Sequence, residues 1–291
     1  MELISNYMRD DKYRHLLNDL TRKVFGFDFE GWVTDGYFEG DYIPYSYLVE
    51  GKIVSNVSAN RMKFVQNGSE RSYIQIGTVM TDPDYRKQGL AAKLMKHVIE
   101  EYAKDCDGIY LFGNLNALDF YRKLGFKELN QYRYSVKAEF CQSEKMEEAF
   151  KPVNDIDEGI KKKYLDLVRN SYPHSAFEQT NKYGLQMFYT AGFDNVFYCD
   201  ALECFIVLEQ EDGVCLQSVL CGKKIALKDV ICHIESEDCK IRLGFVPPDE
   251  DMVICESEIY DGADDYRLFY MGEELESIEK ERLYFPDLSH A

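Results

Sequence analysis

The chain has 291 residues, of which 45% are hydrophobic and 14% aromatic, and its formal net charge at pH 7 is −18. This length and composition suffice for two buried cores, so we expect about two domains. No apolar stretch approaches the roughly 20 residues that span a bilayer, and the N-terminus is acidic where a signal peptide would be basic and then apolar. We therefore exclude a membrane protein and expect a soluble, cytoplasmic one.

The negative charge lies in the second half of the chain. Residues 1–140 contain 19 Lys and Arg against 20 Asp and Glu, whereas residues 141–291 contain 15 against 32. A field of this sign repels phosphates, so we expect no nucleic-acid partner, and it would concentrate a cationic ligand near a cleft between the halves. Solubility alone is the alternative explanation.

The nine cysteines do not indicate a metal site. Their number is odd, and the spacings 199–204, 215–221 and 232–239 lack the C-x-x-C pairing of zinc sites. We therefore expect thiols buried in strands and no bound metal.

The first 80 residues predict a strand, a helix and three further strands. Residues 2–6 form the first strand, and residues 10–25 place apolar side chains at helical spacing. Strands at 45–50 and 53–64 are joined by a tight turn at Gly51 and Lys52. A second turn at Asn67 and Gly68 leads to an apolar, β-branched strand at 74–80.

This last strand ends in a turn that opens a helix. The sequence Asp82-Pro83-Asp84-Tyr85 stops the strand, and from Leu90 onward apolar residues recur at helical spacing. The first N–H groups of a helix lack intrahelical partners and lie at the positive end of its dipole, so the loop 86–91 is suited to a pyrophosphate. An ordinary capped helix with solvated basic residues is the alternative.

A second sequence motif, after that of the loop 86–91, follows a predicted strand at 109–112. Its residues are spaced as Asn, two residues, Ala, three residues, Tyr, three residues, Gly-Phe, at Asn114, Ala117, Tyr121, Gly125 and Phe126. Positions 86, 89 and 91 carry Arg, Gly and Ala. The two motifs together resemble the acetyl-coenzyme A loop and the following helix of the GNAT superfamily of N-acetyltransferases. The resemblance covers about residues 1–140 and implies an α/β fold with a mixed sheet.

The resemblance implies acetyl-CoA as cosubstrate and a strand that splays from its neighbour to pair with the pantetheine arm. A main-chain N–H at 79–81 would stabilise the oxyanion, and Tyr121 would donate a proton to the leaving sulfur. Asn114 would cap the helix or hold a pantetheine amide. A tyrosine that simply packs under its helix is the alternative. The implied coenzyme residues are Val79, Met80, Thr81, Arg86, Lys87, Gln88, Gly89, Leu90, Ala91, Asn114 and Tyr121.

The general base is not evident from the sequence. An alkylamine with a pKa near about 10 must lose a proton before it attacks, and many relatives place a glutamate on the strand before the loop. Residues 73–78 contain no carboxylate. A water relay, a carboxylate from another loop and an acceptor that arrives partly neutral remain open.

Residues 25–42 are rich in aromatic and acidic side chains, and relatives form part of the acceptor pocket in this region. Aromatic faces and carboxylates together suit a cationic amine. We therefore expect an acceptor site made of Glu30, Trp32, Asp35 and Glu39. A plain division into core aromatics and surface acids is the alternative.

The second half predicts another α+β unit. Residues 141–157 form a polar stretch that we interpret as a linker between domains 1–140 and 158–291. Helices are predicted at 158–170, 177–189 and 272–281, with strands at 205–208, 214–220, 230–234, 241–245 and 252–257. Because no second coenzyme loop occurs here, we interpret this acidic domain as a degenerate GNAT-like copy.

The sequence thus predicts an N-acetyltransferase that transfers acetyl from acetyl-CoA to a primary amine of a small, cationic acceptor by direct attack in a ternary complex. A protein N-terminal or lysine acetyltransferase and a non-catalytic acetyl-CoA sensor are the alternatives. The acceptor, the acyl-chain preference and the oligomeric state do not follow from the sequence.

Overall fold

The computed structural model describes residues 1–141, 146, 148–153, 158–211, 213–235 and 240–291, so much of the predicted linker lies outside the described residues. No helix in these ranges is long and apolar enough to cross a bilayer. In chain order, the strands and helices are β1 (Glu2–Ser5), α1 (Asp11–Phe25), α2 (Glu30–Thr34), β2 (Tyr42–Val49), β3 (Lys52–Gln66), β4 (Ser69–Thr81), α3 (Leu90–Tyr102), β5 (Gly108–Asn114), α4 (Leu118–Lys123), β6 (Lys127–Leu129), β7 (Gln131–Val136), α5 (Ala138–Cys141), β8 (Lys151–Pro152), α6 (Glu158–Asn170), β9 (Phe177–Gln179), α7 (Tyr183–Thr190), β10 (Val196–Cys199), β11 (Cys204–Glu209), β12 (Val214–Cys221), α8 (Leu227–Cys232), β13 (Ile241–Leu243), β14 (Cys255–Tyr260), β15 (Tyr266–Met271) and α9 (Ser277–Lys280).

The first sheet has the strand order β1-β2-β3-β4-β5-β15-β6, with β9 added beside β3. Strands β1 to β4 form antiparallel pairs, β4 and β5 are parallel, and β15 is antiparallel to both β5 and β6. Helix α3 covers one face, where Leu94, Met95 and Val98 are fully buried against Ile74 and Ile76 of β4. These apolar side chains recur at helical spacing on α3 and at alternate positions on β4, as each element's geometry requires.

The second sheet repeats this topology. Its strand order is β8-β10-β11-β12-β13-β7-β14, and its pairs have the same sense in the same order, with β12 and β13 parallel where the first sheet has β4 and β5. Helices α6 and α7 precede β10 as α1 and α2 precede β2. The predicted second α+β domain is therefore confirmed, and six-residue α8 stands where the first copy has 13-residue α3.

Each sheet has one strand from the other half of the chain inserted between two of its own strands, and the first sheet also carries β9 from the second half beside β3. Strand β15 lies between β5 and β6 of the first sheet, and β7 lies between β13 and β14 of the second. The two sheets share a large hydrophobic core, in which Tyr110 of β5 and Phe285 stack with ring centroids 4.1 Å apart. The division into residues 1–140 and 158–291 remains our proposal for the two units, with one strand exchanged each way.

Most predicted elements are confirmed to within a few residues, but three in the second half are wrong. Residues 177–189 are not one helix, because Phe177 belongs to β9 and stacks on Phe64 of β3 at 4.4 Å before α7 begins. Residues 230–234 fall largely in α8, since a short apolar run does not distinguish a strand from a buried helix. The strand predicted at 252–257 begins only at Cys255, after a 3₁₀ turn.

Candidate active site

Strands β4 and β5 separate after a short ladder. Their parallel pairing joins Tyr73, Ile74 and Gln75 to residues 108–110. Beyond this ladder a cavity of about 490 Å³ opens, walled by Ile76–Val79 on one side and by Leu111, Phe112 and Asn114 on the other. The edge of β4 that faces this cavity can pair with an extended ligand in place of a strand.

A β-bulge shapes β4 at this cavity. Ser58 of β3 pairs with Gly77 and Asn56 pairs with Met80, so two residues of β4 lie opposite one residue of β3. The first of them, Thr78, has φ of +40°. A β-branched residue adopts this conformation only when its surroundings impose it. Bulges redirect the main-chain groups of a strand, and both residues of this bulge, Thr78 and Val79, line the cavity.

Buried polar side chains hold the bulge. Asn56 donates from Nδ2 to the main-chain oxygen of Thr78 at 3.1 Å, and the Thr78 hydroxyl donates to that of Ser58 at 2.9 Å. The hydroxyls of Tyr42 and Thr78 are 2.8 Å apart, and burial raises the pKa of Tyr42 to about 12. All members of this network are neutral at physiological pH, so the bulge is fixed by hydrogen bonds.

The predicted coenzyme loop is exposed. Lys87 has φ of +63° and Gly89 has φ of +72° as the residue before α3, and residues 86–89 lie at the surface. No side chain among the described residues caps the first turn of this helix. Leu90 is buried beneath it, and Ala91 is half-buried. The N–H groups at the start of α3 are thus available to an anion, and this fits the predicted pyrophosphate site.

Tyr121 and Asn114 face the cavity from the β5 side. Burial raises the pKa of Tyr121 to about 12, and its hydroxyl has no hydrogen-bond partner among the described residues. Asn114 accepts from the Asn116 N–H at 2.9 Å and so begins the 3₁₀ turn that leads into α4. The phenol is therefore protonated and free to donate into the cavity, while Asn114 has the capping role that the sequence suggested.

The other two predicted coenzyme residues end β4 between the cavity and the loop. The Met80 carbonyl accepts from the Ser55 hydroxyl at 3.1 Å, and the Thr81 and Ser55 hydroxyls are 2.9 Å apart. Like Asn56, Ser55 belongs to β3. Both ends of the bulged segment are therefore tied to the neighbouring strand.

The structure brings together two of the four predicted acceptor residues. Trp32 and Glu39 line the cavity, with the Trp32 indole donating to the Gly184 carbonyl at 2.6 Å. Glu30 is absent from the described cavity wall and binds Arg14 through two hydrogen bonds of 2.9 and 3.0 Å, which lower the pKa of Glu30 to about 2. Asp35 is exposed and also lies outside that wall.

Several cavity residues were not predicted from the sequence. Helix α7 supplies Leu185, Phe188 and Tyr189, and the C-terminal segment supplies His290 and Ala291. His290 stacks on Phe112 at 3.8 Å, and burial lowers its pKa to about 4. No local signal marks these residues, because only the packing of the second half against the first brings them to the site.

Asp41 was not among the predicted acceptor residues, although it belongs to the acidic and aromatic segment 25–42 from which they were chosen. It lines the cavity and accepts from Asn181 Nδ2 at 3.0 Å. Burial, as the largest cause, raises the pKa of the Asp41 carboxyl.

One group of side chains in the described ranges could hold a metal ion. Glu209, Cys215 and Asp287 place their ligand atoms within 4.8 Å of one another. Arg242 lies against Glu209 at 3.7 Å, and none of these residues lines the cavity. A guanidinium beside the group disfavours a second cation there.

The split parallel pair, the bulge and the open helix start define a GNAT-type α/β fold. Residues 8–126 match the family model described as the acetyltransferase (GNAT) family. This part of the chain is therefore a GNAT acetyltransferase domain, as the sequence predicted. No curated protein matches the chain.

Solved structures resemble the chain over both halves. A conserved protein of unknown function from Enterococcus faecalis V583, described as a probable N-acyltransferase, has 18% identity and a TM-score of 0.56 over 95% of this chain and 73% of its own. A GCN5-related N-acetyltransferase from Kribbella flavida has 16% identity and 0.56 over the same shares. Eis1 from Mycobacterium abscessus has 12% identity and 0.55 over 95% of this chain and 75% of its own. At these identities the likeness shows the fold alone.

Proposed function

We propose that this protein transfers the acetyl group of acetyl-CoA to a primary amine of a small, cationic acceptor by direct attack in a ternary complex. The observation that carries the proposal is the convergence of the open edge of β4, its bulge and the Tyr121 hydroxyl on one cavity. The family match over residues 8–126 supports acetyl transfer. Acetyl-CoA and an amine are the reactants that best suit these groups.

The coenzyme side of the site would run from α3 into the cavity. The N–H groups at residues 88–91, with Arg86 and Lys87, would bind the pyrophosphate. The edge of β4 at Val79 would pair with the pantetheine amides, and Asn114 faces the same space. When bound, acetyl-CoA supplies the activated thioester.

Two groups would then act on the reaction. A main-chain N–H at the bulge, held by Asn56, would stabilise negative charge that develops on the thioester oxygen. Tyr121 would protonate the departing sulfur, since burial keeps its phenol protonated at neutral pH.

The acceptor would enter from the other side of the cavity. Trp32 and Glu39 line that side, and we add Asp41 to the predicted set. Glu30 and Asp35 lie outside the described wall, so we assign Glu30 to holding Arg14 and give Asp35 no contact with the acceptor.

The test is release of free CoA thiol from acetyl-CoA in the presence of a panel of amines, amino acids and basic peptides. We expect turnover with small amines. Turnover with peptides alone would indicate protein acetylation, and coenzyme binding without turnover on the whole panel would overturn the transferase in favour of a sensor.

Arg86→Glu should weaken acetyl-CoA binding by about tenfold or more because it reverses a phosphate-facing charge. The matched control is Lys104→Glu, an exposed site beyond the end of α3 that should leave binding unchanged.

A further inference from the structure

The acceptor side of the cavity is an aromatic wall, which we define as Phe27, Phe29, Trp32, Leu185 and Phe188. The Phe188 ring lies 5.5 to 5.9 Å from the rings of the three other aromatic residues. Three members come from the α1–α2 region and two from α7. A wall of this size binds an apolar body through burial of its surface and through ring contacts.

The charged groups at this cavity are few. Glu39 forms an ion pair with Arg169, and the exposed residue Arg61 also lines the cavity. Asp41 lines the same space, and no basic side chain forms an ion pair with it among the described residues. Its side chain accepts one hydrogen bond, from Asn181, which leaves further acceptor capacity on the carboxylate. Among the described residues, Asp41 is therefore the carboxylate side chain of this wall that lacks an ion pair, and it lies beside an apolar surface.

We propose, on the basis of the proposed function, that the acceptor is a primary monoamine with an apolar or aromatic body, whose ammonium group binds Asp41 and whose body packs on the aromatic wall. Because the nitrogen of this group is also the nucleophile, it releases one proton to solvent before the neutral amine attacks the thioester carbonyl. Polyamines and other polycations are then poor acceptors. Each additional ammonium group would lose its hydration in the cavity, where the other carboxylate side chain of the described wall, Glu39, is already paired with Arg169, and Arg61 would repel it. The proposal thus narrows the acceptor from cationic amines in general to monoamines with an apolar or aromatic body.

The acidity of residues 141–291 does not alter this conclusion. Surface charges act over about 10 Å at ordinary ionic strength, so they raise the local concentration of cations without stabilising them inside an apolar cavity. Recognition inside the cavity depends on the side chains that line it.

The first experiment compares 2-phenylethylamine and hexylamine with putrescine and spermidine at saturating acetyl-CoA. We expect kcat/KM for the two monoamines to exceed that for the polyamines by at least about tenfold, the effect of one charged hydrogen bond lost or one ammonium group left unpaired. Equal or better turnover of the polyamines would overturn the proposal and leave the acetyltransferase intact.

A second readout needs no turnover. Trp32 is the only tryptophan of the chain and belongs to the aromatic wall, so its fluorescence reports an occupant directly. With CoA present, 2-phenylethylamine should change the emission in a saturable titration, and spermidine should not do so at the same concentrations. If phenylethylamine titrates Trp32 but no amine is acetylated, the proposed reaction fails while the assigned binding site stands. If neither amine titrates, the binding site fails.

A pair of variants tests the role of Asp41. Asp41→Asn should raise KM for 2-phenylethylamine by about 10- to 100-fold and leave KM for acetyl-CoA unchanged, because it replaces a charged acceptor with a neutral one. The control is Asp264→Asn, an exposed carboxylate on the loop between β14 and β15. An unchanged KM in Asp41→Asn would overturn the assignment. A preference for hexanoyl-CoA over acetyl-CoA without discrimination among amines would also overturn it, since the aromatic wall would then hold the acyl chain.

Discussion

Asn56 donates from its side-chain Nδ2 to the main-chain oxygen of Thr78 at 3.1 Å and contacts the hydroxyl of the same residue at 3.2 Å. At the other end of the Asn56 amide, the Ser46 hydroxyl donates to Oδ1 at 2.7 Å. A fully buried side chain of β3 therefore holds the residue whose φ is +40°. The direction of the main-chain N–H groups at the cavity depends on this contact.

Replacing Asn56 should affect catalysis and stability together. Asn56→Ala leaves the Thr78 oxygen without its buried partner, so we expect a loss of about 1–3 kcal/mol in the free energy of unfolding. We also expect kcat to fall by at least about tenfold, because the bulge would no longer aim its N–H group. Urea denaturation and steady-state kinetics measure the two effects.

Ser46→Ala is the control for Asn56. It removes the hydrogen bond to Asn56 Oδ1 and leaves the contact with Thr78 in place. It should lower stability with little change in kcat. Equal losses of kcat in the two variants would mean that Asn56 acts through stability alone.

Tyr121→Phe should lower kcat by about 100-fold, the lower range for a general acid, and leave the Kd for acetyl-CoA unchanged. Because burial raises the pKa of Tyr121 to about 12, its ionisation should not limit activity in the neutral range. Steady-state assays measure kcat, and calorimetric titration measures the Kd for acetyl-CoA. Tyr172→Phe, at an exposed site, is the matched control and should retain full activity. Full activity in Tyr121→Phe would remove the phenol from the reaction.

Glu30→Gln should destabilise the protein, because the buried Arg14 loses one of its two carboxylate partners and keeps only the exposed Asp11. We expect about 1–3 kcal/mol, since water reaches part of the Glu30 carboxylate and offsets some of the loss. The pair lowers the pKa of Glu30 from 4.5 to about 2, so its contribution is present above pH 4.5 and is lost as the pH falls towards 2. Denaturation midpoints of wild type and variant should therefore converge in acid. A constant difference at all pH values would rule out this linkage.

Asp41→Asn should leave the free energy of unfolding unchanged or slightly higher at neutral pH. Burial raises the pKa of Asp41 in the folded protein, so the native state binds more protons and its stability falls as the pH rises through that raised pKa. The amide removes this cost and can still accept from Asn181. Thermal unfolding at neutral and acidic pH checks the sign. A clear loss of stability would show that the charge contributes to folding.

The residues that we propose for the coenzyme could be chosen from the sequence because the pattern that suggests them is local. The spacing of Arg86, Gly89 and Ala91, and that of Asn114 and Tyr121, lies within single turns and helices whose geometry is set by neighbouring residues. Even so, the bulge at Thr78 was not predicted. Its conformation is imposed by Asn56 of the adjacent strand against the preference of a β-branched residue.

The acceptor side could be predicted only in part. The sequence singled out Trp32 and Glu39, which line the cavity, but it could not distinguish Glu30, which binds Arg14, from Asp41, which also lines the cavity. All these residues have the same local composition around them. Their roles differ only because each carboxylate contacts a different partner in the folded protein.

By itself, the sequence determined the family of the first domain, through the resemblance of its two motifs, and its order of strands and helices, through periodicity and turn chemistry over short spans. It also indicated the loop before α3 that we propose for the coenzyme. The tertiary structure decided the exchange of β7 and β15, the contribution of α7 and of the C-terminal segment to the cavity, and the fate of each carboxylate. Apart from the pair of Glu30 with Arg14, these features join residues more than 100 positions apart, such as Trp32 and Gly184, and no local pattern specifies such contacts. They arise when the two sheets bury their apolar faces in one core.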